Sequence, residues 1–254
     1  MRGIWHRETA ALMMGASALP VALIWLTSEG PGLLLRLMLV LVVAGLWHLI
    51  FMLARAQPPS FAGALTGLAV AMLAPEPGPV ALILSVSFGV VFAELVMGGW
   101  GRNILNPATV TLAFAGFGFP AAPWPELAVQ TGWAALPAIG LGVAFGVINW
   151  RVPLAAGAAL AAAHLGGVAL PLTAALVVLA LIVCDPVTSG TTGIGRALTG
   201  LAYGGLVALF AALWRDAAEV QIAASAALLA SLAAPLFDDL ALALWHFRRR
   251  QRLG

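Results

Sequence analysis

Long apolar runs, separated by short polar or proline-containing breaks, extend along the whole chain. Seven runs are long enough to cross a bilayer as a helix, and they cover residues 9–27, 32–54, 79–97, 131–149, 152–170, 196–214 and 219–245. Three shorter runs cover residues 61–74, 108–119 and 172–183. Short or broken helices line sites inside transporter-like folds. The pattern predicts an all-α polytopic membrane protein with about ten transmembrane helices.

The composition and the charges support this architecture. Hydrophobic residues make up 62% of the 254 residues and charged residues 9%, with a mean hydropathy of +1.03, which excludes a soluble domain. All twelve basic residues are arginines, and they are too dispersed for a nucleic-acid site. If the N-terminus is cytoplasmic, ten of them fall on that side, as the positive-inside rule requires. We therefore expect a multi-pass protein in the lipid bilayer, with both termini cytoplasmic and no nucleic-acid partner.

A faint internal repeat relates the third crossing to the eighth. The segment from Leu65 to Pro77 is similar to the segment from Leu172 to Pro186. A repeat that is offset by five crossings has inverted topology, and paired broken helices then place a site between the two halves. The sequence thus predicts a single membrane domain, residues 1–254, with two inverted five-helix repeats at about 9–119 and 131–247.

Polar groups and a proline interrupt the apolar pattern between Gly98 and Thr109. Asn106 suits an N-cap and Pro107 the first helical position, so we expect a helix to begin here inside the membrane domain. The free N–H groups of such an end attract electron-rich oxygens. Asn103 lies three residues earlier, which allows both amides to converge on one planar ligand. The alternative is that the two asparagines only cap and tie down a tight loop.

A second polar stretch follows the run 172–183. Asp185-Pro186 repeats the order of capping residue and proline at Asn106-Pro107, and so predicts a second helix start. The only cysteine, Cys184, precedes it and excludes an intrachain disulfide. One thiol does not hold an iron–sulfur cluster, which takes about four ligands, although sharing a cluster with another subunit stays open.

Several ionisable residues are candidates for an ion path. Glu94, near the end of an apolar run, either lies on such a path or pairs with Arg102 at the membrane interface. His48 either carries protons or is a packing residue near the end of a span. The other candidates, equally open from the sequence, are Glu76, Asp238 and Asp239.

The polar stretches resemble two signatures of the RnfD/NqrB family, membrane subunits of redox-driven ion-translocating complexes. The first, G-G-x-G-[RK]-N-x-x-N-P-A, is matched by Gly98-Gly99-Trp100-Gly101-Arg102-Asn103-Ile104-Leu105-Asn106-Pro107-Ala108. The second, D-P-V-[ST]-[SA], is matched by Asp185-Pro186-Val187-Thr188-Ser189. Further similarities at Arg7-Glu8-Thr9, Leu65-Thr66-Gly67 and Ala234-Pro235-Leu236-Phe237-Asp238 extend the resemblance over most of the chain.

The resemblance implies a ten-helix fold of two inverted five-helix halves, distantly like that of urea channels, with flavin held within the membrane. It implies that the amides of Asn103 and Asn106 bind riboflavin and that Arg102 favours an anionic reduced form. The candidate cofactor-binding residues are Asn103, Asn106, Arg102, Thr109, Asp185 and Thr188. Asp185 and Thr188 are expected to complete the opposing helix terminus. No catalytic or metal-binding residue is assigned.

One family feature is missing from the chain. The family joins a second flavin, FMN, through its phosphate to a threonine in a D-x-x-[ST]-G-A-T motif. The corresponding loop keeps Thr131-Gly132, but Ala128 stands at the aspartate position and Ala134 at the acceptor position. Alanine has no hydroxyl, so covalent FMN is excluded there. The stretch 189–192 resembles S-G-A-T, but its aspartate is one residue too far away. We expect a non-covalent flavin, riboflavin before FMN.

The expected function is that of a non-autonomous component of a redox-driven complex in the bacterial-type inner membrane, not of an enzyme by itself. It would relay electrons through flavin, coupled to movement of H⁺ or Na⁺, next to membrane and peripheral subunits that carry flavin, iron–sulfur or haem groups. One alternative is a channel or carrier for a small neutral solute that uses the same inverted repeat. Another is a structural assembly subunit without a cofactor.

Overall fold

The computed structural model describes residues 6–29, 32–56 and 61–253, which form ten helices and no strand. The all-helical prediction is confirmed for this part of the chain. The helices are α1 Arg7–Glu29, α2 Gly32–Arg55, α3 Ala62–Leu73, α4 Pro79–Phe88, α5 Pro107–Gly118, α6 Val129–Ala144, α7 Arg151–Leu165, α8 Leu172–Val178, α9 Gly193–Leu213 and α10 Glu219–Leu253. Short π-helical segments, Gly89–Leu95 and Leu179–Val183, continue α4 and α8.

Four of the helices, α1, α2, α9 and α10, are long and apolar enough to cross a membrane. The remaining apolar helices have 10–17 residues, so the expected spans 79–97, 131–149 and 152–170 are shorter than predicted. Glycines cause two of the early ends. Gly146 and Gly167 have φ of 73° and 83°, a left-handed conformation that terminates α6 and α7.

The short helix α3 lies at the centre of the protein, whereas the long helix α2 faces outward. Nine of the twelve residues of α3 are buried, but only Val40 and Ala44 are buried in α2. Leu35 and Leu53 of α2 are 76% and 77% exposed, as expected for side chains in contact with lipid. The prediction that the runs 61–74 and 172–183 are short helices is confirmed, and both lie inside the fold.

Small residues let neighbouring helices approach closely. A Cβ atom added to Gly204 of α9 would lie 2.7 Å from the backbone oxygen of Ala156 in α7. A Cβ atom on Gly89 would overlap Thr111 of α5 and would lie 2.7 Å from the backbone oxygen of Pro107. Glycine at these positions therefore fixes the packing of α7 on α9 and of the first π-helical segment on α5.

Arg36 of α2 holds the C-terminal end of α3. Its guanidinium donates hydrogen bonds to the backbone oxygens of Ala74 and, at 3.2 Å, Pro75, and it forms an ion pair of 3.1 Å with Glu76. A cation is favourable at this end because the free carbonyl groups of a helix C-terminus carry partial negative charge. The carboxylate of Glu76 is therefore part of a helix end and not of a buried path.

Candidate functional site

The first signature ends in the helix start that the sequence predicts. Asn106 has φ −67° and ψ 128°, and its Oδ1 accepts a hydrogen bond of 2.9 Å from the backbone N–H of Ala108. Pro107 occupies the first position of α5. This N-cap satisfies one of the unpaired donors of the helix end and fixes the orientation of the amide.

The same amide joins the two signatures. Nδ2 of Asn106 donates a hydrogen bond of 3.0 Å to Oδ2 of Asp185, 79 residues further along the chain. That oxygen also accepts from the Thr188 hydroxyl at 3.2 Å, while Oδ1 accepts from the backbone N–H of Val187 at 3.1 Å. Asn106, Asp185 and Thr188 are all buried. Three of the predicted site residues thus form one buried hydrogen-bonded group, which we call the signature junction.

The second helix start predicted at Asp185-Pro186 is wrong. Residues 184–189 form turns, and α9 begins only at Gly193, with Thr192 as its N-cap. Asp185 uses its carboxylate to close the turn through Val187 and Thr188, which leaves it no free helix end to cap. Asp185 and Thr188 therefore contribute a buried turn, not an opposing helix terminus.

Asn103 makes its hydrogen bonds within its own loop. Its Oδ1 accepts from the backbone N–H of Gly101 at 3.0 Å, and its Nδ2 donates to the backbone oxygen of Leu105 at 3.1 Å. Its side chain is buried, and the bonds hold a loop whose Gly98, Gly99 and Gly101 have φ of 108°, 89° and 99°. An amide has two N–H donors and two acceptor lone pairs. Asn103 and Asn106 therefore each retain capacity for a further hydrogen bond.

A polar pocket of about 530 Å³, which we call the arginine pocket, lies beside this loop. Its lining residues are Arg7, Arg55, Ala56, Gly98, Trp100, Gly101 and Arg102. Three arginines thus surround one space, and one of them, Arg7, forms an ion pair of 3.3 Å between its Nε and Glu8. The predicted site residue Arg102 is exposed and belongs to this pocket.

A much smaller cavity of about 20 Å³ lies beneath the loop. Asn106 and Asp185 of the signature junction line it together with Thr66 of α3 and Trp100. Trp100 also lines the arginine pocket, so the two spaces share this residue as a wall. The cavity is at the size limit for a single water molecule.

Thr109 lies in the first turn of α5. Its side chain is 1% exposed, and its Oγ1 has no hydrogen-bond partner within the described parts of the chain. The same is true of Thr131, which lies in the loop compared above with the FMN motif and is completely buried at the start of α6. A buried hydroxyl without a partner is uncommon and is explained either by a missing ligand or by a local cost in stability.

The structure decides one of the two alternatives offered for Glu94, the pairing with Arg102. The Glu94 side chain is completely buried, and Oε1 lies 3.1 Å from Nε2 of His48 on α2. The suggested pairing with Arg102 is wrong, because Arg102 lies on the exposed side of the loop. Sequence spacing gave no sign of this contact, since the two residues are 46 positions apart on different helices.

Asp238 of α10 binds the start of α9. Its two carboxylate oxygens accept from the backbone N–H groups of Thr191 and Thr192 at 2.7 Å and 2.8 Å. They also accept from the two threonine hydroxyls at 2.8 Å and 2.6 Å. The Thr192 hydroxyl in turn accepts from the backbone N–H of Gly195 at 2.9 Å. The Thr192 hydroxyl, in the stretch 189–192 that resembles S-G-A-T, is thus already hydrogen-bonded. The neighbouring acid, Asp239, is exposed.

Comparison with known proteins supports the resemblance. The sequence model of the NQR2, RnfD, RnfE family matches residues 6–139. A component of the Na(+)-translocating NADH-quinone reductase from Stutzerimonas stutzeri is 33% identical over 114 residues, which is 42% of this chain and 28% of that protein. The same component from Yersinia pestis is 34% identical over 123 residues, 47% of this chain and 29% of that protein. The chain therefore aligns with less than a third of each relative.

The family match includes the first signature and ends before the second. It covers more than half of the chain, from the residue before α1 to α6. The resemblance at residues 98–108 is thereby confirmed, while the assignment of residues 185–189 rests on the motif and on its contact with Asn106. The chain belongs to the NQR2, RnfD, RnfE family.

Proposed function

We propose that the chain is a membrane subunit of a redox-driven, ion-translocating electron transport complex in the bacterial inner membrane. In this proposal it binds a flavin without a covalent bond and relays electrons between partner redox subunits. The signature junction carries the proposal, because it places Asn106 and Asp185 from two distant stretches against each other in a buried site. The names of the two relatives, both components of a Na(+)-translocating NADH-quinone reductase, support the redox and ion-coupled part.

The arginine pocket fits a flavin in size and chemistry. Small-molecule sites typically have about 300–1,000 Å³, and the arginine pocket has about 530 Å³. Arg7, Arg55 and Arg102 offer positive charge, and the buried Trp100 forms part of the wall. The cavity at Asn106, about 20 Å³, is too small for an isoalloxazine ring. Contact between the ring and Asn106 therefore requires the Trp100 indole to move, which joins the two spaces.

Each predicted site residue has a distinct part in this arrangement. Asn106 and Asn103 would use their remaining donors and acceptors to hydrogen-bond the ring, and Arg102 would favour an anionic reduced flavin. Asp185 and Thr188 hold the Asn106 amide in place. The Thr109 hydroxyl, buried and without a partner in the described residues, is a candidate for a further ligand contact. When bound, the flavin supplies the electron transfer chemistry.

The bond to the flavin is proposed to be non-covalent. Ala134 is buried in α6 at the position of the family's acceptor threonine, and it has no atom that can form a phosphoester. Thr131 is fully buried, and the Thr192 hydroxyl is held by Asp238 and Gly195. Ala134 thus has no hydroxyl, that of Thr131 is buried, and that of Thr192 already takes part in two hydrogen bonds, which disfavours FMN attachment at all three positions.

We further propose that the two halves, about 9–119 and 131–247, are inverted repeats in one membrane domain, distantly like a urea channel. The order of helix contacts supports this. Packing of α1 on α3, α3 on α5 and α2 on α4 in the first half recurs as α6 on α8, α8 on α10 and α7 on α9. Equivalent helices also meet at the centre, since α1 packs on α6 and α5 on α10.

The proposed topology has both termini in the cytoplasm. Arg7, Arg55 and Arg102 come from three separate parts of the sequence but surround one pocket. All three belong to the set that the positive-inside rule assigns to the cytoplasmic side. The arginine pocket would accordingly open toward the cytoplasm.

A flavin assay on the assembled complex tests the proposal. The chain is purified with its partners, and visible spectra are recorded before and after acid precipitation. We expect flavin absorbance that moves into the supernatant. Absence of flavin contradicts the proposal as a whole, and flavin that stays with the precipitated chain contradicts its non-covalent part.

Two further outcomes belong to the rival functions. Uptake of a small neutral solute by the isolated chain in liposomes, without flavin, would identify a channel or carrier. An assembly subunit would show a lower yield of complex for Asn106→Ala at unchanged flavin per complex. The redox proposal instead predicts a lower flavin content per assembled complex for this variant.

A further inference from the structure

His48 and Glu94 form a buried acid–base pair beside the signature loop. His48 lies on α2 and Glu94 on the π-helical segment that continues α4. Oε1 of Glu94 lies 3.1 Å from Nε2 of His48, and the other ring nitrogen, Nδ1, lies 2.8 Å from the backbone oxygen of Ala44. The carboxyl side chain is 0% exposed and the imidazole 15%.

The hydrogen bonds fix the number of protons in the pair. A backbone oxygen only accepts, so Nδ1 must carry a hydrogen to bond Ala44. A bond between Nε2 and Oε1 then needs one further proton at that contact. The proton is on Oε1 of a neutral Glu94, or on Nε2 of an imidazolium that faces a carboxylate. Both forms hold the same single proton between the two side chains.

Loss of that proton changes the site more than loss at a surface residue would. Two acceptor atoms would then face each other at 3.1 Å, and a negative charge would remain in a fully buried side chain. The second carboxyl oxygen, Oε2, is buried and has no hydrogen-bond partner in the described residues. The deprotonated pair therefore favours binding a proton again. It lacks the extra hydrogen-bond donors that would stabilise a permanent carboxylate on Glu94.

The surroundings hold the pair in place and connect it electrostatically to the signatures. A Cβ atom on Gly63 of α3 would lie 2.9 Å from Cε1 of the imidazole, so α3 packs directly on the ring. The charged groups that act on the pair are Arg7 of α1, which acts on His48, and Asp185, which interacts with Glu94. The wider π-helical turn at Glu94 is a backbone form found often at functional sites.

We propose that His48 and Glu94 are a proton-exchange site within the membrane domain, which takes up and releases one proton as a unit. On release, the O–H or N–H bond at the contact breaks and its electron pair stays on Oε1 or Nε2. The proton passes to a water molecule at the imidazole, which is 15% exposed, and the pair gains one negative charge. Neither His48 nor Glu94 is among the proposed flavin contacts, so the proposal does not rest on flavin binding.

Infrared difference spectra of the full chain in its complex, between about pH 5 and about pH 9, test this proposal. The wild type should lose either a protonated carboxylic acid band or an imidazolium band. Glu94→Gln should lack this change. Glu76→Gln is the matched control, because Glu76 is a partly exposed acid paired with Arg36, and it should keep the change. Identical difference spectra for wild type and Glu94→Gln would overturn the proposal.

A second variant makes the test independent of the folding of Glu94→Gln. The chain has four histidines, and His6, His164 and His246 are exposed, so glutamine at these three positions leaves the buried pair intact. With ¹⁵N-labelled histidine, the label-sensitive bands that this background keeps and that a further His48→Gln change removes come from His48. We expect a pH-dependent shift of these bands. Bands that do not change over the whole interval would contradict proton exchange at the pair.

Discussion

The two signature loops are built differently. The second loop, residues 184–192, is tied to its neighbours: Asp185 closes its first turn, and Asp238 accepts four hydrogen bonds from Thr191 and Thr192 at its end. The first loop, residues 98–106, has three glycines with positive φ and an open pocket on one side. The second loop is thus a fixed support, and the first is the part that can adapt to a ligand.

The bond from Asn106 to Asp185 is the link between the two loops, and breaking it should have the largest effect. Asn106→Asp keeps the N-cap oxygen but places a second carboxylate against Asp185 in a buried site. An uncompensated buried charge typically costs about 3–5 kcal/mol. We expect a loss of this size in the free energy of unfolding, with little assembled complex, measured by thermal unfolding of the solubilised complex.

Asn106→Ser is the control for this variant. Serine still caps a helix, but it has no second group to donate to Asp185. Its loss should be clearly smaller than that of Asn106→Asp. Both variants keep a capping oxygen and lose the bond to Asp185, so equal losses would contradict the cost assigned to the added buried charge.

Asp238→Ala should disrupt the second loop alone. It removes the acceptor of four hydrogen bonds at the start of α9. Hydrogen bonds to a charged group contribute about 1.5–3 kcal/mol each, and they are not additive, so we expect a total loss of about 2–4 kcal/mol. Asp239→Ala is the matched control, because Asp239 is the exposed neighbour. Equal apparent Tm values for the two variants would contradict a supporting role for this loop.

Gly101→Ala should act on the first loop through the backbone. Gly101 has φ of 99°, and a Cβ atom there would meet nothing within 4 Å, so the cost is conformational only. We expect a loss of about 1–2 kcal/mol in stability and weaker retention of flavin, read from the flavin content per complex. Gly140→Ala in α6 also has open space around it and should be neutral or slightly stabilising. Similar behaviour of both variants would show that the loop conformation is unimportant.

Thr109→Val should have the smallest effect on stability. It removes a buried hydroxyl without a partner in the described residues, so we expect a change within about 1 kcal/mol. Flavin content should fall if this hydroxyl contacts the ligand. Thr111→Val is the comparison, because the Thr111 hydroxyl already donates to the backbone oxygen of Pro107 at 2.9 Å. An unchanged flavin content in Thr109→Val would remove this residue from the site.

The helices and the first signature were predictable from local patterns. Apolar runs set the helices, and the order of Asn106 and Pro107 sets the start of α5, because capping depends on adjacent residues only. The helix start expected at Asp185 was mispredicted because its side chain closes a turn instead of capping a helix, and α9 begins at Gly193, close to the run 196–214. Contacts between distant helices, such as His48 with Glu94, depend on tertiary packing, which no spacing in the sequence encodes.

A density map of the assembled complex, centred on residues 98–109, tests the central claim most directly. The account predicts an isoalloxazine ring in the arginine pocket, with the Trp100 indole displaced and the amides of Asn103 and Asn106 within hydrogen-bond distance of the ring. A well-ordered map that shows only lipid or packed side chains at this position, with all partner subunits present, would contradict it.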